Sequence, residues 1–309
     1  MTRGEPVYAR AAAATTAALL GAGALALPST AAEQTPADAF AAHKSATPLA
    51  HKDPTVVAHR GASAYTPENT FAAIDKAAHM GFRWVENDVQ RTKDGVLVIV
   101  HDDNLKRTTN VERVFPGRSP WKVKDFTAAE IAKLDAGSWF GSRYKGARVP
   151  TLTQYMNRVS RNHQSLILEI KKPELYPGIE KDTLSVLRKT GWLDRDHVKN
   201  KLVVQSFSAD SVKKVHALRS DIKTGFLGTP AAADLPKYAK FADQINSTHT
   251  TISKGYVSAI HRLKGAHGKR LEIFTWTVDE TAAARRAAGF GVNGIITNKP
   301  DVVRKALRD

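Results

Sequence analysis

Eight short β-branched runs, most separated by amphipathic or Ala-rich helical patterns, predict an α/β chain, and eight parallel strands are the number that closes a (β/α)8 TIM barrel. The runs are VVAHR (56–60), WVENDV (84–89), LILEIK (166–171), LVVQSF (202–207), KTGFL (223–227), DQINS (243–247), EIFTWTV (272–278) and GIITN (294–298). A further run, VLVIVHD (96–102), follows the second barrel strand after only QRTKDG. Parallel neighbours need a crossover of about a dozen residues or more, so Asp94-Gly95 must turn a β-hairpin and the return strand must run antiparallel. Polar residues also gather at the ends of these runs, where barrels of this kind carry their chemistry.

The first 32 residues read as an export signal. Arg3 and Arg10 precede the small apolar run AAAATTAALLGAGALALP, and cleavage is expected after Ala31 or Ala32. A membrane span is the weaker reading, because Pro28 breaks the run after about seventeen residues, near the lower limit for spanning. The chain has no Cys for a lipid anchor and no twin Arg, so a secreted, extracellular protein is expected. Residues 33–54 are polar and Ala/Pro-rich and read as a flexible linker; 55–309 form the catalytic domain. Within it, NTFAAIDKAAHMG is expected to start a helix at an Asn69 cap and to stop at Gly81. The stretch between His101 and the third barrel strand is too long for a simple loop, so a small insertion at about 103–150 is expected over the strand ends. It holds a helix near 127–134 and a Gly/aromatic loop, with another helix after Pro150.

A 309-residue chain without Cys must stand on its core rather than on disulfides. Its formal charge is +16, and the signal carries away two Arg and one Glu, leaving +15. That balance favours anionic partners: phosphorylated small molecules, phospholipid surfaces or wall polymers. The Lys and Arg are scattered, with no recognition-helix or zinc-finger pattern, which argues against nucleic acid.

Side chains alternate along a strand, so Glu86 and Asp88 share one face, as do Glu169 and Lys171. His59 and Arg60 end the first run, and the hairpin returns His101 beside the second. Two neighbouring carboxylates repel unless something positive lies between them. Glu86, Asp88 and Glu169 can converge, and hard oxygen donors without Cys select one Ca²⁺ or Mg²⁺ rather than Zn²⁺. The plainer alternative is a buried ion-pair network with Arg60 and Lys171, but three acids against two cations favour a metal. For His59 and His101 the plainer alternative is a core histidine bonded to backbone. Two histidines flanking a cation, with Arg60 and Lys171 near, instead suit phosphate-ester chemistry, one imidazole taking a proton and the other giving one. Glu68 and Asn69 are expected to cap and orient the first helix. Gln205, Ser206, Asn246 and, more weakly, His249 are further candidates for substrate contact, whereas His79 and His163 read as surface or packing residues.

The stretch AHRGASAYTPENTFAAIDKAAHMGFRWVENDVQRTKDGVLVIVHDDNLKRTT resembles the opening half of the glycerophosphodiester phosphodiesterase family, and LDAGSWF…VPTL, LEIKKP, QSF, TGFL, FTWTV and GIITNKP follow in the family's order. The resemblance covers residues 55–305. It implies a (β/α)8 barrel, a divalent cation and hydrolysis of glycerophosphodiesters to glycerol 3-phosphate and an alcohol. It also implies His59 and His101 as the acid–base pair, Glu86, Asp88 and Glu169 as metal ligands, and Arg60 and Lys171 as phosphate contacts. Trp276 becomes a wall of the substrate pocket, with core packing as its alternative. Where the family often reads GVDGIITD, this chain has GVNGIITN; Asn293 and Asn298 lie outside the His and ligand set, so only local support and substrate fit are expected to change. The expected substrate is a small diester of the glycerophosphocholine or glycerophosphoethanolamine type. The alternatives are lysophospholipase D-type cleavage of lysophospholipids, teichoic acid, and a non-catalytic barrel that binds phosphate or wall polymer. A monomer is expected, touching anionic membrane or wall transiently.

Overall fold

The computed structural model describes residues 53–309. The expected signal, and all of the expected linker but Asp53 and Pro54, lie outside the described residues. In chain order the elements are β1 (Thr55–Ala58), α1 (Phe71–His79), β2 (Trp84–Arg91), β3 (Leu97–Ile99), α2 (Val111–Val114), α3 (Ala128–Ile131), α4 (Leu152–Arg161) and β4 (Ser165–Ile170). They continue as α5 (Ile179–Lys189), α6 (Arg195–Asn200), β5 (Leu202–Ser206), α7 (Ala209–Leu218), β6 (Lys223–Leu227), α8 (Leu235–Tyr238) and β7 (Gln244–Thr248). The last are α9 (Lys254–His261), β8 (Glu272–Trp276), α10 (Thr281–Phe290), β9 (Gly294–Thr297) and α11 (Pro300–Arg308).

Every strand but β3 pairs in parallel with two neighbours, and β1 pairs with both β2 and β9, so the barrel closes. The expected (β/α)8 barrel is what forms. β1 covers only the first half of β2, through Val57–Trp84 and Ala58–Val85. On the upper half, Val89, Gln90 and Arg91 pair antiparallel with Ile99, Val98 and Leu97. β3 thus caps the stretch of β2 edge that β1 is too short to reach, outside the barrel, and the chain leaves it at His101.

Strand alternation divides the residues into two sets. Val57, Ile167, Val203, Phe274 and Ile296 pack together inside the barrel, against Trp84 and Trp276. Ala58, Val85, Val89, Leu166, Leu168, Ile170, Leu202 and Val204 belong instead to a core shared with Ile74, Tyr155, Leu187 and Trp192 of the surrounding helical layer. The inner positions one and two steps above the apolar layer, toward the C-terminal strand ends, are Glu86, Asp88, Glu169 and Gln205. Gly294 makes room for the interior plug: a Cβ there would lie 2.3 Å from the Phe274 ring.

Residues 103–150 carry α2 and α3 and a small core of their own, in which Leu105, Val111, Phe126, Ile131 and Leu134 pack on Val98 and Val100. The helix expected near 127–134 is the single turn α3, opened by a Thr127–Glu130 capping box. Asp135, buried at the root of the Gly/aromatic loop, accepts from the backbone N–H groups of Gly137, Ser138 and Gly146 and from the Ser138 hydroxyl. Burial pushes its carboxyl up, but those donors outweigh it and hold the group below the usual carboxylate range. A depressed native pKa means that the contribution is complete above the unfolded value of about 3.9 and fades as pH falls through the native one. Asp135→Ala should therefore cost at least about 2 kcal/mol at neutral pH, read from the urea midpoint, because three N–H groups lose a charged acceptor. The deficit should shrink in acid.

Two expectations about α1 are corrected. Its N-cap is Thr70, with no side-chain cap bond, and Asn69 sits one residue earlier at φ +59. Neither Glu68 nor Asn69 caps the helix; both turn toward the strand ends.

Candidate active site

His59 and Arg60 lie just beyond β1 rather than within it, His101 just beyond β3, and Lys171 just beyond β4. At the first turn, Arg60 (φ +54) and Gly61 (φ +81) both adopt left-handed backbone. Gly61 is required twice over, since a Cβ would lie 2.5 Å from the Ala73 carbonyl carbon. The strained Arg60 is anchored from both sides: its N–H donates to Glu86 Oε2 at 3.1 Å, and its carbonyl accepts from Asn69 N–H at 3.0 Å.

Seven of the eight expected site residues line one cavity of about 80 Å³: His59, Arg60, Glu86, His101, Glu169, Lys171 and Trp276. Asp88 is 1% exposed and lies just beneath it, touching Arg60 and Lys171. Gln205 and Phe207 join the lining. Asn246 stands one layer back, donating to Gln205 Oε1 at 2.7 Å, and Ser206 is structural, its hydroxyl donating to the Ile170 carbonyl. His249 contacts Arg286 and is no part of the cavity lining.

Glu86, Asp88 and Glu169 each offer a carboxylate oxygen, all within 4.8 Å of one another, and all three are buried. Asn69 Nδ2 donates to Asp88 Oδ2 at 2.8 Å, Arg60 Nε lies 3.4 Å from that oxygen, and Lys171 Nζ is 2.8 Å from Glu169 Oε1 and 3.7 Å from Asp88 Oδ1. Lys171 thus serves Glu169, whereas its contact to Asp88 is too long for a hydrogen bond, so Asp88 Oδ1 stays buried without a hydrogen-bond donor, as does Asn69 Oδ1. Burial, together with the charge of Asp88, pushes the Glu86 and Glu169 carboxyls up. Asp88 goes the other way: Arg60, Lys171, His101 and Asn69 outweigh its burial and hold it low, at about 2. Two cations thus settle one carboxylate and leave the others in conflict. Oxygens only, close together, buried and short of donors, are a donor set that fits a hard divalent cation.

The two imidazoles are held differently. His59 Nδ1 meets Asn298 Oδ1 at 2.7 Å; that oxygen also accepts from Ser63 Oγ, while Asn298 Nδ2 donates to Asp279 Oδ2 at 2.7 Å. With its amide so oriented, Asn298 requires Nδ1 of His59 to carry the hydrogen, which leaves Nε2, 3.9 Å from Glu86 Oε2, as the basic nitrogen. Burial and the Arg60 charge lower the His59 pKa to about 4. His101 Nδ1 bonds Asp102 Oδ1 at 2.7 Å, so a full carboxylate backs this ring. Asn298 is therefore more than local support: it touches one of the histidines. Asn293, by contrast, accepts from Ile273 N–H and contacts His261 at the opposite end of the barrel.

Two histidines and a buried acidic trio thus meet at the C-terminal end of a closed parallel (β/α)8 barrel, the end at which enzymes of this architecture carry their active sites. The profile described as "Glycerophosphoryl diester phosphodiesterase family" matches residues 59–302, and the chain belongs to that family. It is similar to a putative glycerophosphodiester phosphodiesterase of Bacillus subtilis, 36% identical over 251 residues that span 80% of this chain and 95% of the relative. A glycerophosphodiester phosphodiesterase of the same organism is 35% identical, with 81% of this chain and 85% of the relative covered. Among solved structures it resembles an Oleispira antarctica phosphodiesterase in complex with the product sn-glycerol-3-phosphate, at TM-score 0.70 and 28% identity, covering 83% of this chain and 98% of that one.

Proposed function

We propose that this protein is an extracellular phosphodiesterase that hydrolyses glycerophosphodiesters to glycerol 3-phosphate and an alcohol. The observation that carries the reading is the unequal anchoring of the two rings around one cavity: His59 on a neutral amide, His101 on a carboxylate. A ring whose Nδ1–H is held by an amide is kept neutral, with Nε2 free to accept a proton. A ring whose Nδ1–H is fixed on a carboxylate is held in one orientation, with Nε2 left to hand a proton to a leaving group. His59 is thus the general base toward the attacking hydroxyl, and His101 the general acid toward the departing alkoxide. The P–O bond to the alcohol breaks as the new P–O bond forms, and the proton lost at one ring is matched by the proton gained at the leaving oxygen. Arg60 and Lys171, both in the lining, supply charge against the phosphoryl oxygens. Glu86, Asp88 and Glu169 would hold one Ca²⁺ or Mg²⁺, which adds positive charge at the same place.

The attacker is water or the substrate's own neighbouring glycerol hydroxyl; the second route passes through a cyclic diester that a phosphorus NMR time course detects. A second substrate class has one observation in its favour: Phe207, edge-on to Trp276 and 51% exposed, leaves an apolar rim on which an acyl chain of a lysophospholipid could lie. The test is turnover of glycerophosphocholine, glycerophosphoethanolamine and their lysolipid counterparts, with EDTA and Ca²⁺ or Mg²⁺ add-back. Hydrolysis of the deacylated diesters that stops on chelation and returns with metal is expected. Full turnover after chelation would sink the metal assignment, and binding without turnover would sink the enzyme.

A further inference from the structure

We infer that Arg107 is a positioning residue: one guanidinium outside the cavity that fixes His101 through Asp102, and the acidic trio through Glu68 and Arg60. The inference rests on the acid–base reading above. Arg107 belongs to the stretch DDNLKRTT that follows β3, and spacing alone gives it no chemical role. In space it grips two carboxylates from two different loops. Nε and Nη2 donate to Asp102 Oδ2 and Oδ1 at 2.7 and 3.0 Å, and Nη1 and Nη2 donate to Glu68 Oε2 and Oε1 at 2.8 and 2.8 Å. The guanidinium is planar and its donors are fixed in a fork, so two bidentate contacts set both the separation and the tilt of the acids.

Each acid passes the constraint inward. Asp102 Oδ1 is also the acceptor of His101 Nδ1, at 2.7 Å. With the other carboxylate oxygen held by Arg107, that group is locked against the rotation that would release the imidazole. Glu68 Oε1 accepts from Arg60 Nη1 at 2.9 Å. Arg60 in turn faces Asp88 through Nε and bonds Glu86 through its backbone N–H. An unbroken series of polar contacts therefore runs from the proton donor to the carboxylates.

The alternative is a surface ion pair that merely tethers two loops. Arg107 is 44% exposed and Asp102 25%, and pairs that open to solvent contribute little to stability. A tether would need one carboxylate contact to each loop. It would not need both oxygens of each acid engaged by one guanidinium, nor one of those acids to be the group that orients His101. The geometry is that of a brace for a ring.

The test compares wild type, Arg107→Ala, Arg107→Lys and His101→Ala in turnover of glycerophosphocholine, with Tm as the check on folding. Proton NMR follows the His101 Nδ1–H in the wild type and the Arg107 variants. Arg107→Ala is expected to lower kcat on the order of 10²-fold, as a misaligned catalytic group does, with KM moved by less than about threefold. The downfield Nδ1–H signal of His101 should broaden or vanish at unchanged Tm, and added guanidinium should restore part of the turnover. Arg107→Lys, which keeps the charge but not the fork, should retain the fold and most of the kcat deficit. The inference is overturned if either folded Arg107 variant turns over within about twofold of wild type while His101→Ala is inactive, or if kcat falls with the His101 signal intact. Wild-type turnover by His101→Ala would instead overturn the acid–base reading on which it stands.

Discussion

Alanine at either histidine is expected to lower kcat by about 10²–10⁴-fold, the range that a positioned proton donor or acceptor contributes. The two losses should differ in kind. Without His101 the leaving alkoxide departs unprotonated, so the deficit should shrink for substrates whose alcohol is already a good leaving group, such as a p-nitrophenyl ester. Without His59 the attacking hydroxyl keeps its proton whatever the leaving group, so the deficit should persist. Comparing kcat for a choline and a p-nitrophenyl diester of glycerol phosphate in both variants reads this directly. Equal sensitivity of the two variants to the leaving group would refute the division of roles drawn from Asn298 and Asp102.

The second large effect concerns the acidic trio. Asp88→Asn and Glu169→Gln should each lower turnover by about 10³-fold, the equivalent of several kcal/mol of charge stabilisation lost. A readout independent of activity is thermal unfolding. A cation that binds only the folded chain stabilises it by about 2.7 kcal/mol at a hundred times its Kd, so Ca²⁺ or Mg²⁺ should raise the Tm of the wild type. Neither variant should respond as strongly. The charge conflict also predicts that Glu169→Gln, which removes a buried carboxylate already pushed up by burial and by Asp88, is at least as stable as wild type in EDTA. A wild-type Tm indifferent to both metals would contradict the fit of the trio to a cation.

Eight strand-like runs alternating with helical patterns were enough to read the barrel, and the shortness of QRTKDG the hairpin; period-two alternation, the order of the runs and the family resemblance together gathered His59, Glu86, Asp88, His101 and Glu169. What escaped is what depends on contacts across the chain. Asn69 reads as a helix cap, since Asn before a helical pattern normally is one. Its left-handed backbone instead swings the amide onto Asp88, 19 residues away. Glu68 shares that loop and is claimed by Arg60 and Arg107. Asn298 looks like a substitution at the fringe until β9 closes on β1 and sets it against His59. Asp135 could be read only as one letter of LDAGSWF, because most of its partners are backbone N–H groups that carry no side-chain signature.

The bond between His59 and Asn298 joins residues 239 positions apart, nearly the two ends of the described chain. During synthesis the first imidazole, all three acids, the second imidazole and Arg107 are made long before the amide that settles where the first ring keeps its hydrogen. A nascent or truncated polypeptide ending ahead of β9 would own almost every one of these groups and still leave the hydrogen of that ring without its acceptor. The hydrogen on that ring finds its place only once β9 has closed on β1 and the cylinder seals.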